Sequence, residues 1–254
     1  MWAAERRDVL LERLRRDGRI VAKEIAVELG LSEDSIRRDL RELASEGLLT
    51  RVYGGAVSAS PAVADYATRA DIATDSKRRV AAAALDLLQT GATVILDGGT
   101  TTLDLVRLLP TTLELTIVTH SPTIAAALLE HDADVILIGG RLFKHSAVAM
   151  GAAAVESASR VNADLFLLGV TGIRASTGLT TGDPEEAAMK RVLASRAAET
   201  WVLGSGEKIG AASPHQVLPL DGVSGLVLDV TGGGEALADL RETGTRIVEA
   251  GGRA

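Results

Sequence analysis

The sequence predicts an α/β protein made of a small, mainly helical N-terminal domain and a larger domain built on a mostly parallel sheet. Amphipathic helical patterns fill the first sixty residues, and short β-rich runs alternate with helical segments farther on. Between the two patterns, the stretch 58–64 is small, Pro-containing and without period. We therefore expect a first domain over residues 1–57, a linker over 58–75 and a second domain over 76–254.

The composition is that of a globular protein without thiol chemistry. Hydrophobic residues make up 46% of the 254-residue chain and charged residues 24%, a balance that argues against disorder. Cysteine is absent, which excludes disulfides, cysteine nucleophiles and cysteine-ligated metal sites. The start of the chain is charged and no apolar run approaches the length of a membrane span, so we expect a cytoplasmic protein without membrane contact.

The net charge of −7 is unevenly distributed along the chain. Residues 1–58 carry eleven basic and eleven acidic side chains, whereas the remainder carries sixteen basic and twenty-three acidic ones. Nucleic-acid affinity depends on where Lys and Arg cluster rather than on the total charge. The acidic balance therefore does not exclude a nucleic-acid-binding N-terminal domain.

Apolar periodicity predicts three helices in the first domain. One ends near Asp17-Gly18, one covers about 22–29 and one covers about 33–45. Gly30 suits the turn after the second helix, and Ser32 is placed to cap the third. Two helices joined by a short turn form the geometry that brings a recognition helix to the DNA major groove.

The third predicted helix has one apolar face and one basic face. The apolar stripe consists of Ile36, Leu40 and Leu43. Three arginines are left to point outward, namely Arg37, Arg38 and Arg41. Arginine can pair with guanine edges or hold phosphates. On charge pattern alone, a solvated face with pairs such as Arg38 to Glu42 explains these arginines equally well.

The stretch after the third helix favours DNA binding. Residues 47–57 predict two short strands closed by a tight turn, the wing of a winged helix, where Arg51 and Tyr53 would contact phosphates. The segment 32–57, SEDSIRRDLRELASEGLLTRVYGGAV, resembles the DNA-binding motif of the DeoR family of transcriptional regulators. The resemblance implies a winged helix-turn-helix with these DNA-contacting residues: Ser35, Arg37, Arg38, Arg41, Arg51 and Tyr53. Ala22 departs from the family, which often has Ser or Thr there.

Short β-rich runs alternate with Ala-rich helical runs in the second domain. We expect strands near Thr93–Leu96, Leu115–Val118, Val135–Ile138, Leu165–Leu168, Thr200–Leu203 and Leu226–Leu228. This alternation predicts a mostly parallel sheet with helices on both faces. Ligands of such open sheets bind beyond the carboxyl ends of the strands, so the residues that follow each strand are candidate site residues.

The stretch after the first of these strands is a candidate anion site. It runs Asp97-Gly98-Gly99-Thr100-Thr101-Thr102 and opens a helix. Glycines allow close backbone approach, the first N–H groups of the helix favour an anion, and the threonine hydroxyls add donors. The spacing matches neither the Walker A motif nor the dinucleotide fingerprint. A Gly-rich turn capped by threonine, without a ligand, is the alternative.

Motifs along the larger domain extend the resemblance to the DeoR family. They are Gly139-Gly140-Arg141, Thr171-Gly172-Ile173, the stretch 178–191 and a late Lys-x-Gly that begins at Lys208. The DeoR sensor domain is similar in fold to ribose-5-phosphate isomerase, and the resemblance implies a sugar-phosphate effector. The family commonly has Asn where this chain has His120, and it lacks one residue of the stretch that precedes Lys208 here.

The resemblance also assigns roles to individual residues. The implied effector-binding residues are Asp97, Gly98, Gly99, Thr100, Thr101, Thr102, His120, Arg141 and Lys208. The three threonines would hold the phosphate, Asp97 a sugar hydroxyl, and Arg141 and Lys208 the anionic charge. The four histidines show no metal-ligand spacing, so we expect neither a metal nor a cofactor.

Three functions remain to be weighed for the whole chain, of which the third, a purely architectural DNA-binding protein, would leave the larger domain without a role. The first is a DNA-binding regulator, expected to repress carbohydrate-metabolism genes under control of a phosphorylated sugar, with operator DNA as partner and a homodimer or homotetramer as assembly. The second is a sugar-phosphate isomerase fused to a DNA-binding module. The loop 169–173 offers no carboxylate as general base, and Asp183-Pro184-Glu185-Glu186 predicts a helix start rather than a catalytic cluster. We therefore expect a regulator and not an enzyme.

Overall fold

The structure is a computed structural model that describes residues 2–17, 19–60, 62, 64–232 and 234–251. Gly18, which the sequence predicts to end the first helix, and Pro61 and Val63 of the predicted linker lie outside the described residues.

The N-terminal domain is a winged helix-turn-helix. Its helices are α1 (Ala3–Asp17), α2 (Ala22–Leu29) and α3 (Glu33–Ser45), and its strands are β1 (Arg19–Val21), β2 (Leu49–Val52) and β3 (Gly55–Ser58). The strands form an antiparallel sheet in the order β1-β3-β2. The three predicted helices and the two predicted wing strands are confirmed, whereas β1 was not predicted.

Local sequence signals set the helix ends in this domain. Gly30 follows α2 with φ of 64°, the left-handed conformation that glycine adopts without strain. The Ser32 hydroxyl accepts a 3.2 Å hydrogen bond from the Ser35 amide and caps α3, as predicted. Leu10 of α1 and Ile36 of α3 are fully buried in the common core. This core holds the exposed face of α3 in a fixed orientation.

The segment predicted as a linker contains a short helix. Helix α4 (Tyr66–Ala70) begins after Asp65, whose carboxylate accepts a 2.8 Å hydrogen bond from the Thr68 amide. Just before it, Ala59 pairs with Ala212 of the larger domain in an isolated parallel β-bridge. The segment is therefore in contact with the larger domain along part of its length.

The described part of the larger domain has twelve strands, seven of which form a parallel sheet with helices on both faces. Its strands, in chain order, are β4 (Thr93–Leu96), β5 (Thr116–Thr119), β6 (Asp134–Leu137), β7 (Arg141–Phe143), β8 (Val148–Met150), β9 (Ala163–Gly169), β10 (Gly172–Arg174), β11 (Gly178–Thr181), β12 (Ala197–Gly204), β13 (His215–Leu218), β14 (Gly225–Asp229) and β15 (Ile247–Ala250). The sheet has the order β15-β14-β12-β9-β4-β5-β6, and every neighbouring pair is parallel. The predicted fold class is therefore confirmed.

The six predicted strands all belong to this sheet, with ends that shift by a few residues. The edge strand β15 and the two smaller antiparallel groups, β7-β8 and β10-β11-β13, were not predicted. These smaller groups form two separate sheets outside the main sheet.

Two hydrophobic cores sandwich the sheet. The remaining helices are α5 (Thr74–Ala84), α6 (Thr100–Leu108), α7 (Pro122–Ala127), α8 (Ala152–Ala158), α9 (Pro184–Ala194) and α10 (Gly234–Glu242). Helices α5 to α7 cover one face around Leu96 and Trp201, and α8 to α10 cover the other around Ile95 and Phe166. Because successive strand residues point to opposite faces, an apolar strand such as β4 fills both cores.

Candidate anion pocket and DNA-reading surface

A pocket lies at the carboxyl ends of the central strands. The space not filled by atoms in the pocket and at its mouth, open solvent included, is about 510 Å³. Its wall is formed by the start of α6, the residues after β9 and β12, the buried face of α9, and the segment that joins the domains. This is the edge of a parallel sheet where ligands bind.

The predicted Gly-Thr stretch forms one wall of the pocket. Gly98, Gly99 and Thr100 to Thr102 all line it, and the three threonines begin α6 in buried positions. A Cβ atom on Gly98 would lie 2.2 Å from Val148 Cγ1, and Gly99 has φ of 134°, so both positions require glycine. Thr101 Oγ1 is buried without a hydrogen-bond partner among the described residues. The stretch therefore presents the donors that the sequence predicted.

Asp97 lies behind this wall rather than in it. It is fully buried and accepts hydrogen bonds from the backbone amides of Gly98 and Gly169, each at 2.8 Å, and from Lys190 and His120. Burial alone would raise the pKa of Asp97, but the Lys190 ammonium and the His120 hydrogen bond outweigh it and hold the pKa well below its usual range. Because its carboxylate accepts all these hydrogen bonds, Asp97 orders the residues behind the pocket wall. Asp97 itself is not among the residues that line the pocket.

His120 also lies behind the wall and joins the same network. Its Nδ1 is 3.0 Å from the carbonyl oxygen of Ala149 and its Nε2 is 2.8 Å from Asp97 Oδ1. Both ring nitrogens thus lie within hydrogen-bond distance of an oxygen atom, and the hydrogen bond to Asp97 favours the ionised form of that carboxylate. The residue supports Asp97 from a fully buried position.

Lys190 and Glu186 on α9 line the pocket and were not predicted as site residues. Lys190 bonds Asp97 and lies 3.2 Å from Glu186, whose other carboxylate oxygen accepts a 3.1 Å hydrogen bond from Ser146. Burial lowers the pKa of Lys190, but Asp97 and Glu186 outweigh burial and raise it, so the ammonium is kept charged. The two residues lie four positions apart, one turn of α9, and their burial where this helix packs against the sheet is not visible in the sequence.

Asp183 caps α9, as predicted. Its carboxylate accepts a 2.9 Å hydrogen bond from the Glu186 amide, and Pro184 occupies the first turn. Asp183 therefore fixes the start of the helix that carries Lys190 and Glu186 into the pocket.

Three further basic residues line the pocket. They are Lys208, which was predicted, and Arg69 and Lys77, which were not. Burial lowers the pKa of Lys208 to about 8; the nearby Glu207 opposes this shift and the cations Arg69 and Lys77 add to it. Burial also lowers the pKa values of Lys77 and Arg69. Cations crowded in a partly dry site favour the binding of an anion.

Arg141 lies outside the pocket. It is the first residue of β7, is exposed, and forms a 2.6 Å ion pair with Glu185. The structure therefore does not bring Arg141 together with the other residues that the resemblance implied.

The candidate DNA-binding surface combines the exposed face of α3 with the wing. Arg37, Arg38 and Arg41 are exposed on α3, and Arg37 forms a 2.6 Å ion pair with Glu33 one turn earlier. Arg38 and Arg41 have no ion-pair partner among the described residues. The alternative pair of Arg38 with Glu42 is therefore not formed in the part of the chain that the structure describes.

The remaining predicted DNA contacts surround this face. Ser35 lies in the first turn of α3, with its hydroxyl 2.9 Å from that of Ser32. Tyr53 is fully exposed at the turn of the wing, and Arg51 is exposed on β2. A groove lined in part by Arg37, Arg51 and Tyr53 separates α3 from the wing. All six predicted residues thus lie on or beside the surface formed by α3 and the wing.

Neither a metal centre nor a membrane-spanning helix is found in the described part of the chain. No group of three or more His, Asp or Glu side chains there is arranged to hold a metal ion. None of the helices there is long and apolar enough to cross a bilayer.

A winged helix-turn-helix joined to an α/β domain with a cation-lined pocket defines a DNA-binding protein that can respond to a ligand. Residues 6–62 match the DeoR-like helix-turn-helix domain, and residues 72–230 match the DeoR C terminal sensor domain. The chain belongs to the DeoR family and is a DNA-binding transcriptional regulator.

Two relatives in sequence agree with this assignment. The chain is 30% identical over 256 residues to a putative aga operon transcriptional repressor of Escherichia coli O157:H7, covering 98% of this chain and 94% of that protein. It is 32% identical over 252 residues to the HTH-type transcriptional regulator GlpR of Haloferax volcanii, covering 98% of each. Among solved structures, ribose 5-phosphate isomerase A of Methanocaldococcus jannaschii aligns with a TM-score of 0.40 and 17% identity over 53% of this chain and 54% of that one.

Proposed function

We propose that this regulator represses carbohydrate-metabolism genes and that a phosphorylated sugar bound in the pocket controls its affinity for operator DNA. One observation carries the proposal: several buried polar atoms on pocket-lining side chains have no partner among the described residues. They are Arg69 Nε and Nη2, Thr101 Oγ1, Thr181 Oγ1 and Glu207 Oε2. An unpaired buried polar group costs about 1–3 kcal/mol, and more when it is charged, so a ligand that pairs them binds favourably.

Charge and hydrogen-bonding capacity identify the ligand class. The lining contains four basic side chains, Arg69, Lys77, Lys190 and Lys208, and two acidic ones, Glu186 and Glu207. The excess of cations beside the start of α6 suits a phosphate. The carboxylate oxygens and threonine hydroxyls suit sugar hydroxyl groups. A phosphorylated sugar satisfies both requirements in one molecule.

Control of DNA binding requires the ligand to prefer one state of the protein. A coupling free energy of about 1–3 kcal/mol changes DNA affinity roughly fivefold to 150-fold. Winged-helix regulators bind paired half-sites, so we infer a homodimer or a homotetramer that acts on DNA in the cytoplasm. Repression is supported by the relative named a putative operon repressor.

We also propose that the pocket senses its ligand without turning it over. Aldose–ketose isomerisation needs a general base placed against a substrate C–H bond. Glu186 is engaged by Lys190 and Ser146, Glu207 accepts a 2.7 Å hydrogen bond from Ser205, and the loop after β9 contains no carboxylate. Incubation of the protein with pentose and hexose phosphates, followed by product analysis, should find no conversion.

A thermal-shift screen against sugar phosphates tests the proposal. A ligand at a hundred times its Kd stabilises the protein by about 2.7 kcal/mol, which corresponds to a rise in Tm of roughly 5–10 °C for a domain of this size. Thr101→Val should lose most of this shift because it removes a buried hydroxyl from the pocket. Thr112→Val, at an exposed position outside the pocket, is the matched control and should keep it. The proposal fails if no phosphorylated sugar shifts the Tm of the wild-type protein.

A further inference from the structure

The segment that joins the two domains, residues 59–72, forms part of the pocket wall. The wing strand β3 ends at Ser58, and the buried residue Ala62, only four positions later, lines the pocket. Arg69 and Ile72 of the same segment line it as well. Four residues span at most about 14 Å when fully extended. The pocket wall is therefore separated from the wing by a very short length of chain.

Arg69 is the charged residue of this segment in the pocket. Its Nε and Nη2 atoms are buried and have no hydrogen-bond partner among the described residues. Burial lowers the pKa of Arg69 while the charges of Glu186 and Asp97 oppose that shift, and the guanidinium stays protonated because its ordinary pKa is so high. The guanidinium carbon of Arg69 lies 5.8 Å from the centroid of the Tyr66 ring. Two charged donors thus face a space that no described side chain fills.

The backbone around Arg69 is held, in contrast to its side chain. The Lys77 ammonium donates a hydrogen bond to the carbonyl oxygen of Arg69. The Tyr66 amide donates a 2.8 Å hydrogen bond to the carbonyl oxygen of His145, in the turn between β7 and β8. The Asp65 carboxylate caps α4. These contacts position the guanidinium at the pocket while leaving its donors available.

We propose that Arg69 is a direct ligand of the bound anion, and that the effector regulates DNA binding by fastening the segment 59–72 to the sensor domain. This inference rests on the proposed function of the pocket as a site for a phosphorylated effector. Arginine suits the role because its planar fork pairs with two phosphate oxygens at once. When the anion is bound, it bridges Arg69 on the joining segment to the Gly-Thr stretch at the start of α6. The bridge limits the movement of the chain that continues into the wing, and this gives the bound and free states different geometries at the DNA.

The first measurement is affinity for inorganic phosphate, titrated by thermal shift into the full-length protein at constant ionic strength. Arg69→Met should weaken phosphate binding roughly tenfold to a hundredfold, as expected for the loss of a charge-assisted pair. Arg69→Lys should restore part of the affinity, since it keeps the charge but not the fork. Arg78→Met removes an exposed arginine outside the pocket and should bind phosphate as the wild type does.

The second measurement separates ligand contact from regulation. Phosphate should slow amide hydrogen exchange over residues 64–72 in the wild type and in Arg78→Met, but not in Arg69→Met. Phosphate should also change the affinity of the wild type for operator DNA, measured by fluorescence anisotropy. Arg69→Met should lose this response even at a phosphate concentration that saturates the variant.

Three results would overturn the inference, and they differ from failure of the proposed function. Phosphate affinity in Arg69→Met equal to that of the wild type shows that Arg69 is not a ligand. If phosphate does not change the DNA affinity of the wild type, regulation does not pass through this residue. The same follows if phosphate still changes the DNA affinity of Arg69→Met when that variant is saturated with phosphate. If Thr101→Val abolishes phosphate binding in those cases, the proposal that the pocket is the effector site is retained. If the wild type binds neither phosphate nor any phosphorylated sugar, both proposals fail.

Discussion

Asp97→Asn should destabilise the larger domain more than any surface substitution. Asp97, Lys190 and His120 are all buried, and the Asp97 carboxylate pairs with the Lys190 ammonium and lies within hydrogen-bond distance of His120. Asparagine has nearly the same shape but no charge. Its side-chain NH2 group replaces a carboxylate oxygen and therefore lies against a hydrogen-bond donor that it cannot accept from. Removing one partner of a buried ion pair costs about 3–5 kcal/mol. For a domain of this size, that loss lowers the Tm by roughly 6–20 °C.

Urea unfolding followed by tryptophan fluorescence measures this loss in the correct domain. Trp201 is buried in the sheet core, and the exposed Trp2 can be replaced by Phe so that only Trp201 reports. Because the folded-state pKa of Asp97 lies below its unfolded value of about 3.9, its contribution is present above that pH and is lost as the pH falls through the folded-state pKa. Asp132→Asn, at an exposed position, is the control. A loss below about 1 kcal/mol for Asp97→Asn would refute the role of Asp97 as the central anion.

Three further predictions concern the pocket and the DNA surface. Lys208 has a pKa of about 8, so phosphate affinity should fall as the pH rises through that value, and Lys208→Met should flatten the profile in calorimetric titrations; a wild-type affinity that is constant across this range contradicts the assignment. His120→Ala should cost about 1.5–3 kcal/mol from the lost charged hydrogen bond to Asp97, in addition to the cavity. His120→Asn, which keeps one donor, should cost less in the same urea assay, and equal losses would count against the hydrogen-bond account. Arg38→Ala should weaken binding to duplexes selected from a random pool by about 1–3 kcal/mol while changing the affinity for random DNA much less; an equal loss on both would assign Arg38 to phosphate contact instead.

The sequence predicted the N-terminal domain well because its signals are local. Each helix has its own apolar periodicity, and Gly30 and Ser32 act on the residues next to them. Asp183 at the start of α9 is a signal of the same kind. The central strands were equally accessible, since a buried parallel strand such as β4 is a continuous apolar run.

Elements without a distinctive local pattern were missed. Strand β1 has three residues and only one of them is buried, so it has no measurable period. Strand β15 has four residues, of which only Ala250 is fully buried. Both strands exist because a neighbouring strand offers unpaired backbone groups, and that is a property of the tertiary structure.

The pocket was predicted only in part, because some of its residues are consecutive in the sequence and others meet only through tertiary packing. The Gly-Thr stretch carries its chemistry in consecutive residues, so its position after a strand was enough to find it. Arg69, Lys77 and Lys190 reach the pocket from three different helices, and no local pattern brings them together. Arg141 instead pairs at the surface with Glu185, forty-four residues later. Convergence of side chains from distant segments is decided by packing, which the sequence alone does not reveal.

The buried carboxylates explain how the pocket can hold so many cations before an anion arrives. Asp97 and Glu186 together keep the Lys190 ammonium charged, whereas burial, although opposed by the nearby Glu207, lowers the pKa of Lys208 to about 8. Its depressed pKa means that the unfolded chain binds this proton more tightly between about pH 8 and the ordinary pKa of lysine, so the stability of the empty protein rises with pH through that window. A bound phosphate reverses the balance, because its negative charge favours the ammonium. Near pH 8, effector binding is therefore coupled to proton uptake by Lys208, and the stability of the occupied protein should depend less steeply on pH in that window than the stability of the empty protein.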